Sequence, residues 1–403
     1  MSDFYQNGII TTFHNFGQIS DTQIEEALRQ FAPVRPMGLI LPSLYSELEG
    51  PALSRIVDEL ADADWLTEII IGLDKANRQQ FERARHFFSR LPQRHRILWH
   101  DGPRLQDIDR ELAATGLAPE APGKGRNVWY CAGYLLAGER TRCVALHDCD
   151  IVTYRRGMLA RLLYPLANPA FDYEFSKGYY ARVADGRING RVGRLLVGPL
   201  LSALTMVYGQ QPYLDYLGGF RYPLSGEFAL RTRSLNSIKI PGDWGLEIGV
   251  LSEVYRNCSP RRICQVEIAD AYDHKHQPLS VSGGEGGLQR MSNDIVQSLL
   301  RKLATMGVNI TSDSFRVLKA AYYRNALDRI DCYQHEALMN GLTFDQHKEE
   351  AAVDLFTQSL LDAGQAFMAN PNDKPFIPSW NRVSSAVPDI MAQIEAAVEQ
   401  DNA

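Results

Sequence analysis

The sequence predicts an α/β fold, a mostly parallel sheet covered by helices and followed by a helical C-terminal region. Three observations lead there. Short apolar runs alternate with longer amphipathic stretches from about residue 34 to 150. The pattern is mixed from 171 to 270. Beyond the glycine-rich Gly283-Gly284-Glu285-Gly286-Gly287 it turns helical. At 403 residues the chain exceeds one typical domain, so we divide it into an N-terminal extension (1–33), a main unit (34–283, with a break at 150) and a helical region (284–403).

The strands expected in the first half are 37–41, 67–72, 96–100 and 142–147, each an apolar run of strand length. The helices between them are 51–61, 77–90, 105–114 and 127–136, which carry helical composition and apolar spacing. A strand at 175–183, helices near 194–207 and 245–257, and a strand at 262–269 follow. Such a segment extends the sheet and carries a second substrate. The tail reads as helices at 291–306, 312–340, 344–369 and 387–399, where Leu299, Leu300 and Leu303 form a stripe suited to packing on the rest of the chain.

Composition narrows the function. Hydrophobic residues at 45% and charged residues at 22% are those of an ordinary globular protein. A formal net charge of −6 argues against a broad grip on nucleic acid, which needs a basic face. No stretch offers the ~20 uninterrupted apolar residues of a membrane span, and the opening Met1-Ser2-Asp3-Phe4-Tyr5-Gln6 lacks the sections of a secretory signal. Six cysteines without a C-x-x-C pair read as reduced thiols, so a cytoplasmic location is expected.

The sharpest chemical feature is Val144-Ala145-Leu146-His147-Asp148-Cys149-Asp150, an apolar strand ending in two carboxylates one residue apart. Side chains two apart on a strand share a face, so Asp148 and Asp150 can converge on one cation, at the carboxyl end of a strand where open α/β sheets bind ligands. Mg²⁺ or Mn²⁺ suits such oxygen ligands and can bridge a diphosphate. Alone, a D-x-D is a common surface turn; its context lifts it. Gly123-Lys124-Gly125 upstream lets backbone approach a ligand and offers a lysine to phosphate, although it lacks the spacing of a Walker P-loop. Asp273-His274-Lys275-His276 downstream completes a plausible mixed ligand set. Glu227 in Pro223-Leu224-Ser225-Gly226-Glu227 and Glu247 in Gly245-Leu246-Glu247-Ile248-Gly249 each stand in an apolar, glycine-containing setting. There a carboxylate needs a sugar hydroxyl or a backbone amide as partner.

Taken in order with Leu41-Pro42-Ser43-Leu44-Tyr45-Ser46-Glu47, Gly190-Arg191-Val192 and His274-Lys275-His276-Gln277-Pro278-Leu279, these pieces resemble the GT-A glycosyltransferases that make compatible solutes. The similar families are the glucosyl-3-phosphoglycerate synthases and mannosylglycerate synthases. The resemblance implies a Rossmann-like nucleotide-diphospho-sugar transferase domain over 34–283, with a donor half at 34–150 and an acceptor half at 151–283. It implies a metal-dependent, retaining transfer of a hexose from a nucleotide sugar, UDP-glucose foremost, to a small hydroxy acid such as 3-phosphoglycerate. Pro42, Ser43 and Glu47 would meet the uracil and ribose, Gly72 and Asp74 would close the base pocket, and Lys124 would meet the nucleotide. Asp150 and His274 would bind Mg²⁺ or Mn²⁺, with Asp148 assisting. Asp148, Lys124 and Glu247 would carry catalysis, while Gly190, Arg191, Val192, Glu227 and His276 would bind the acceptor. Arginine suits that last task because its planar fork matches an oxyanion. Gly193 stands where a hydroxyl residue is usual and His276 where an asparagine is usual. Free glycerate or glucosylglycerate as acceptor, GDP-mannose as donor, and a non-catalytic nucleotide-sugar binder are therefore the alternatives, and a homodimer is plausible.

Overall fold

The computed structural model describes residues 6, 8–243, 245–273, 287–371 and 376–403. Eight strands of the described residues form one sheet. In chain order they are β1 (Thr11–Phe13), β2 (Met37–Leu44), β3 (Leu66–Asp74), β4 (Arg94–Trp99), β5 (Cys143–Leu146), β6 (Phe175–Tyr180), β7 (Phe228–Arg231) and β8 (Ile263–Ala269). Across the sheet the order is β1-β8-β6-β7-β5-β2-β3-β4. Strand β7 runs antiparallel to both its neighbours, β5 and β6, whereas the other pairs of this sheet are parallel.

The first helices in chain order are α1 (Asp21–Phe31), α2 (Pro51–Ala61), α3 (Arg78–Phe88), α4 (Pro103–Ala114), α5 (Lys124–Gly138) and α6 (Arg156–Ala167). Then come α7 (Gly198–Tyr208), α8 (Pro212–Gly218), the single turn α9 (Thr232–Leu235) and α10 (Leu246–Asn257). The tail forms α11 (Gly287–Thr305), α12 (Ser312–Met339), α13 (Gln346–Ala369), α14 (Trp380–Ala386) and α15 (Ile390–Asn402). None of the described helices is long and apolar enough to cross a membrane.

Successive strand residues point to opposite faces, and both faces are covered, so the central strands read as unbroken apolar runs. Leu39, Leu41, Ile69, Ile71 and Leu73 join α1, α2, α3 and α6 in one core; Ile40, Ile70, Val144 and Leu146 join α4, α5, α7 and the tail helices in the other. The helical tail thus shares the second core and has no separate one among the described residues. Its end is stitched to the sheet edge. Asn402 exchanges hydrogen bonds with the backbone of Ile97 on β4 (3.0 and 2.9 Å), occupying the groups that another strand would use. Glu399 meets Arg94 and Arg96 at 2.5 and 2.8 Å. Trp380 stacks on Trp129 with centroids 3.9 Å apart.

Strands 37–41 and 67–72 run on to Leu44 and Asp74, and the helix expected at 127 begins at Lys124. All three extensions matter, since they carry candidate site residues. The sequence reading missed β1, α1, α6 and β7, and also the short helices α8, α9 and α14. Helix α1 had a signal, because Ser20 and Gln23 form a capping box.

Candidate active site

Strands β2 and β5 are neighbours from which the sheet order runs outward in opposite directions, and the carboxyl ends of strands at such a point are where open α/β sheets bind ligands. Strand β5 stops at Leu146, which places Asp148 and Asp150 in the turn beyond it. The turn, not the pleat, therefore sets the relation of the two carboxylates. Gly226 runs directly over this turn: a Cβ there would stand 2.4 Å from Asp148 Oδ2. Lys124, the first residue of α5, puts Nζ 2.6 Å from Asp148 Oδ1 and 3.2 Å from Glu247 Oε1. Glycines make that approach possible. A Cβ at Gly125 would lie 1.9 Å from the Pro241 carbonyl oxygen, and one at Gly249 2.1 Å from the Pro241 ring. The Pro241-Gly242 segment thus fits closely against the starts of α5 and α10, which sets Glu247 opposite Lys124.

Burial disfavours the Lys124 ammonium, but the carboxylates of Asp148 and Glu247 outweigh it and raise the pKa, so the lysine stays charged. Burial together with the charge of Asp148 pushes the Asp150 carboxyl up to about 7, against the pull of Lys124. A carboxylate this unfavourably placed is suited to a cation. The oxygen donors of Asp148 and Asp150 fit Mg²⁺ or Mn²⁺. Among the described residues no group of three or more metal-ligating side chains is gathered. The expected third ligand, His274, and the acceptor candidate His276 lie outside the described residues. The chain does lead there: Asp273 N donates to Thr153 Oγ1 (3.1 Å) and its carbonyl accepts from Val152 N (2.9 Å), beside the Asp150 turn.

Of the residues expected to bind a donor, Pro42 and Ser43 lie near the end of β2 and Glu47 sits in the 3₁₀ turn Tyr45–Glu49. Ser43 is buried, and the charge of Glu47 acts on Asp150. Asp74 ends β3, accepts from Asn127 Nδ2 (2.9 Å) and lies 3.2 Å from His100 Nδ1. Burial opposes its charge, yet His100 and Asn127 hold the carboxyl below its ordinary range. Gly72 has a packing reason to be glycine: a Cβ would stand 1.8 Å from Asn127 Oδ1, and Asn127 also donates to the Gly72 carbonyl (2.9 Å).

Of the residues expected to bind an acceptor, Glu227 is fully buried. Its carboxylate accepts from Tyr272 (2.8 Å), Tyr180 (2.5 Å) and Ser225 (3.1 Å). Gly190 takes φ +77°, a conformation that favours glycine, and Arg191 and Val192 follow it into a π-helical turn, Val192–Val197. Arg191 Nε donates to Glu349 of α13 (2.7 Å). Gly193 lies against Tyr222, whose ring packs edge-on to Tyr180 and so adjoins the Glu227 cluster.

The sequence reading overlooked Lys177. It sits in the middle of β6, is buried, and donates through Nζ to the Ser225 carbonyl (2.5 Å). Burial lowers its pKa to about 8, against the charges of Glu247 and Glu227. A lysine inside the strand Phe175-Ser176-Lys177-Gly178-Tyr179-Tyr180 was itself a signal, since buried strands rarely hold an ammonium without a task.

The chain is 45% identical over 402 residues to the glucosyl-3-phosphoglycerate synthase of Persephonella marina, covering 100% of this chain and 99% of that protein. It is 38% identical over 403 residues to the enzyme of the same name from Methanococcoides burtonii, covering 99% and 98%. Solved structures of glucosyl-3-phosphoglycerate synthase from Mycobacterium tuberculosis share its fold. The complex with Mn²⁺, UDP-glucose and phosphoglyceric acid matches with a TM-score of 0.54 at 23% identity, over 75% of this chain and 89% of that one. The complex with Mn²⁺, UDP and phosphoglyceric acid gives 0.53 at 23% identity, over 73% and 86%. No protein-family model matches. The α/β fold of GT-A type expected from the sequence is the fold of these structures.

Proposed function

The chain belongs to the glucosyl-3-phosphoglycerate synthase family of glycosyltransferases, and on that premise we propose that it transfers glucose from UDP-glucose to 3-phosphoglycerate, with retention, using Mg²⁺ or Mn²⁺. The observation that carries this is full-length identity of 45% to a protein of that name. The contact of Lys124 with Asp148 and Glu247 supports it.

In this reading residues 34–150 hold the donor and 151–283 the acceptor. Pro42, Ser43, Glu47, Gly72 and Asp74 line the nucleoside end. Asp150, with Asp148 and His274, holds the metal, which when bound offsets the charge of the departing diphosphate. Lys124 presents three N–H donors; Asp148 and Glu247 take two directions, and the third, which has no partner among the described residues, would meet a phosphate oxygen. Its charge stabilises the leaving group. Glu227 is poorly placed to attack a sugar, since three hydroxyls already occupy its carboxylate, and Glu247 is bound by Lys124. That supports front-face attack by the acceptor hydroxyl over a covalent glycosyl-enzyme. Arg191, Gly190 and Val192, with His276, receive the acid. Gly193 favours one second reading, free glycerate as acceptor, because it brings no hydroxyl to a phosphate.

The test pairs UDP-glucose or GDP-mannose with 3-phosphoglycerate, glycerate or glucosylglycerate, with Mg²⁺, Mn²⁺ or chelator, and follows nucleoside diphosphate release. Release is expected with UDP-glucose and 3-phosphoglycerate and is lost with chelator. Asp148→Ala, Asp150→Ala and Lys124→Met each lower kcat by about 10²-fold or more while Tm is kept. Normal turnover in these variants sinks the assignment of roles; release only with glycerate replaces the acceptor.

A further inference from the structure

We infer that the helical tail is part of the acceptor site, and that Glu349 is a positioning residue that aims Arg191 at the acceptor's anionic group. This rests on the reading of Gly190-Arg191-Val192 as the acceptor loop.

The tail grips the segment 186–195, which contains that loop, at three places. Thr343 N donates to the Gly186 carbonyl (2.8 Å), Tyr322 donates to the Leu195 carbonyl (2.8 Å), and Glu349, near the start of α13, lies between Arg191 and Arg194. The Glu349 side chain is 5% exposed, so its charge needs its partners: Oε1 accepts from Arg191 Nε (2.7 Å) and Oε2 from Arg194 Nη2 (2.8 Å).

The two arginines are used differently. Arg194, whose side chain is 10% exposed, is used mainly for structure, with only its Nη1 lacking a hydrogen-bond partner among the described residues. Its Nε donates to the Asn189 carbonyl (2.9 Å), its Nη2 also donates to the Ile188 carbonyl (3.2 Å), and its face covers Tyr333 at 4.6 Å. Arg191 gives Glu349 only Nε. Its two Nη groups have no hydrogen-bond partner among the described residues, and the side chain is 34% exposed. One edge of this guanidinium is therefore anchored while the other is presented, which is the arrangement that receives a carboxylate or phosphate in a bidentate manner. Glu349 also separates two like charges that would otherwise repel across the loop. Fixing a long side chain before the acid arrives lowers the entropy lost on binding, and that gain appears in acceptor affinity.

Glu349→Gln keeps size and removes charge. We expect it to raise KM for 3-phosphoglycerate about tenfold, with KM for UDP-glucose and kcat changed less than about twofold. Glu349→Asp, which keeps the charge, should restore part of the affinity, and it serves should Glu349→Gln not fold. In an Arg191→Ala background Glu349→Gln should add nothing, because the effect runs through Arg191. Calorimetric titration of 3-phosphoglycerate into enzyme with UDP and Mg²⁺ reads the same site without turnover. Unaltered acid affinity in both Glu349 variants, or equal losses toward donor and acceptor, overturns the inference and leaves the proposed reaction standing. A wild type that binds the acid but transfers nothing overturns the reaction, while weaker binding in the variant still supports the clamp. A wild type with no affinity for the acid overturns both.

Discussion

Lys177 shows how a single buried charge is held. Its ammonium lies under the Ser225-Gly226-Glu227 turn, and the turn in turn covers Asp148. Because its pKa falls from an ordinary 10.5 to about 8 through burial, the folded protein releases this proton before the unfolded chain does. The sign follows: below about pH 8 the buried ammonium opposes folding in full, and as pH rises from about 8 toward 10.5 that cost is relieved, so stability gains with pH. Lys177→Met has no such group. Urea unfolding of both proteins from pH 7 to 9.5 should show wild type gaining on the variant by on the order of 1–2 kcal/mol. A difference that stays flat with pH would mean the lysine does not titrate there. Asp148, Asp150 and Lys124 stand out by type and spacing as candidates in the sequence, and the structure brings Lys124 to Asp148; Glu349 does not stand out. A glutamate early in an amphipathic helix looks like any solvated one, and only the fold shows it buried between two arginines.

At the scale of elements, the site depends on close approach of α5, the Pro241-Gly242 segment and α10. Gly125→Ala would force a methyl into the Pro241 carbonyl, 1.9 Å away. We expect about 1–3 kcal/mol of lost stability. We also expect a kcat loss larger than stability explains, since Glu247 is carried away from Lys124; calorimetry and steady-state kinetics on the same preparation separate the two. Elements with long apolar runs or clear amphipathic spacing were read to within a few residues. Helix α6 and strand β7 were not. Phe228–Arg231 is four residues long and ends in an arginine, and its place between β5 and β6 comes from pairing that no local pattern encodes.

At the scale of the molecule, the tail is not an ornament on the catalytic unit. Ile295, Leu299, Leu303, Phe315, Leu360 and Ile394 lie in the same buried cluster as Ile40, Ile70 and Val144 of the sheet. A chain ending at 286 would expose that face, along with Trp129 and the β4 edge. We expect it to aggregate or to bind a hydrophobic dye, and we expect full-length protein to unfold in one calorimetric transition. Two separate transitions, with a soluble truncated form, would refute this.

The sequence by itself determined the α/β class, the order of the central strands' apolar runs, the carboxylate pair and its lysine, because periodicity and residue chemistry are local properties. Only the tertiary structure decided that the Asp148-Cys149-Asp150 turn lies under Gly226, that Glu227 is enclosed by hydroxyls, and that Glu349 reaches Arg191 from 158 residues away. Those contacts are made by elements distant in sequence, and their geometry depends on how two cores pack across one sheet.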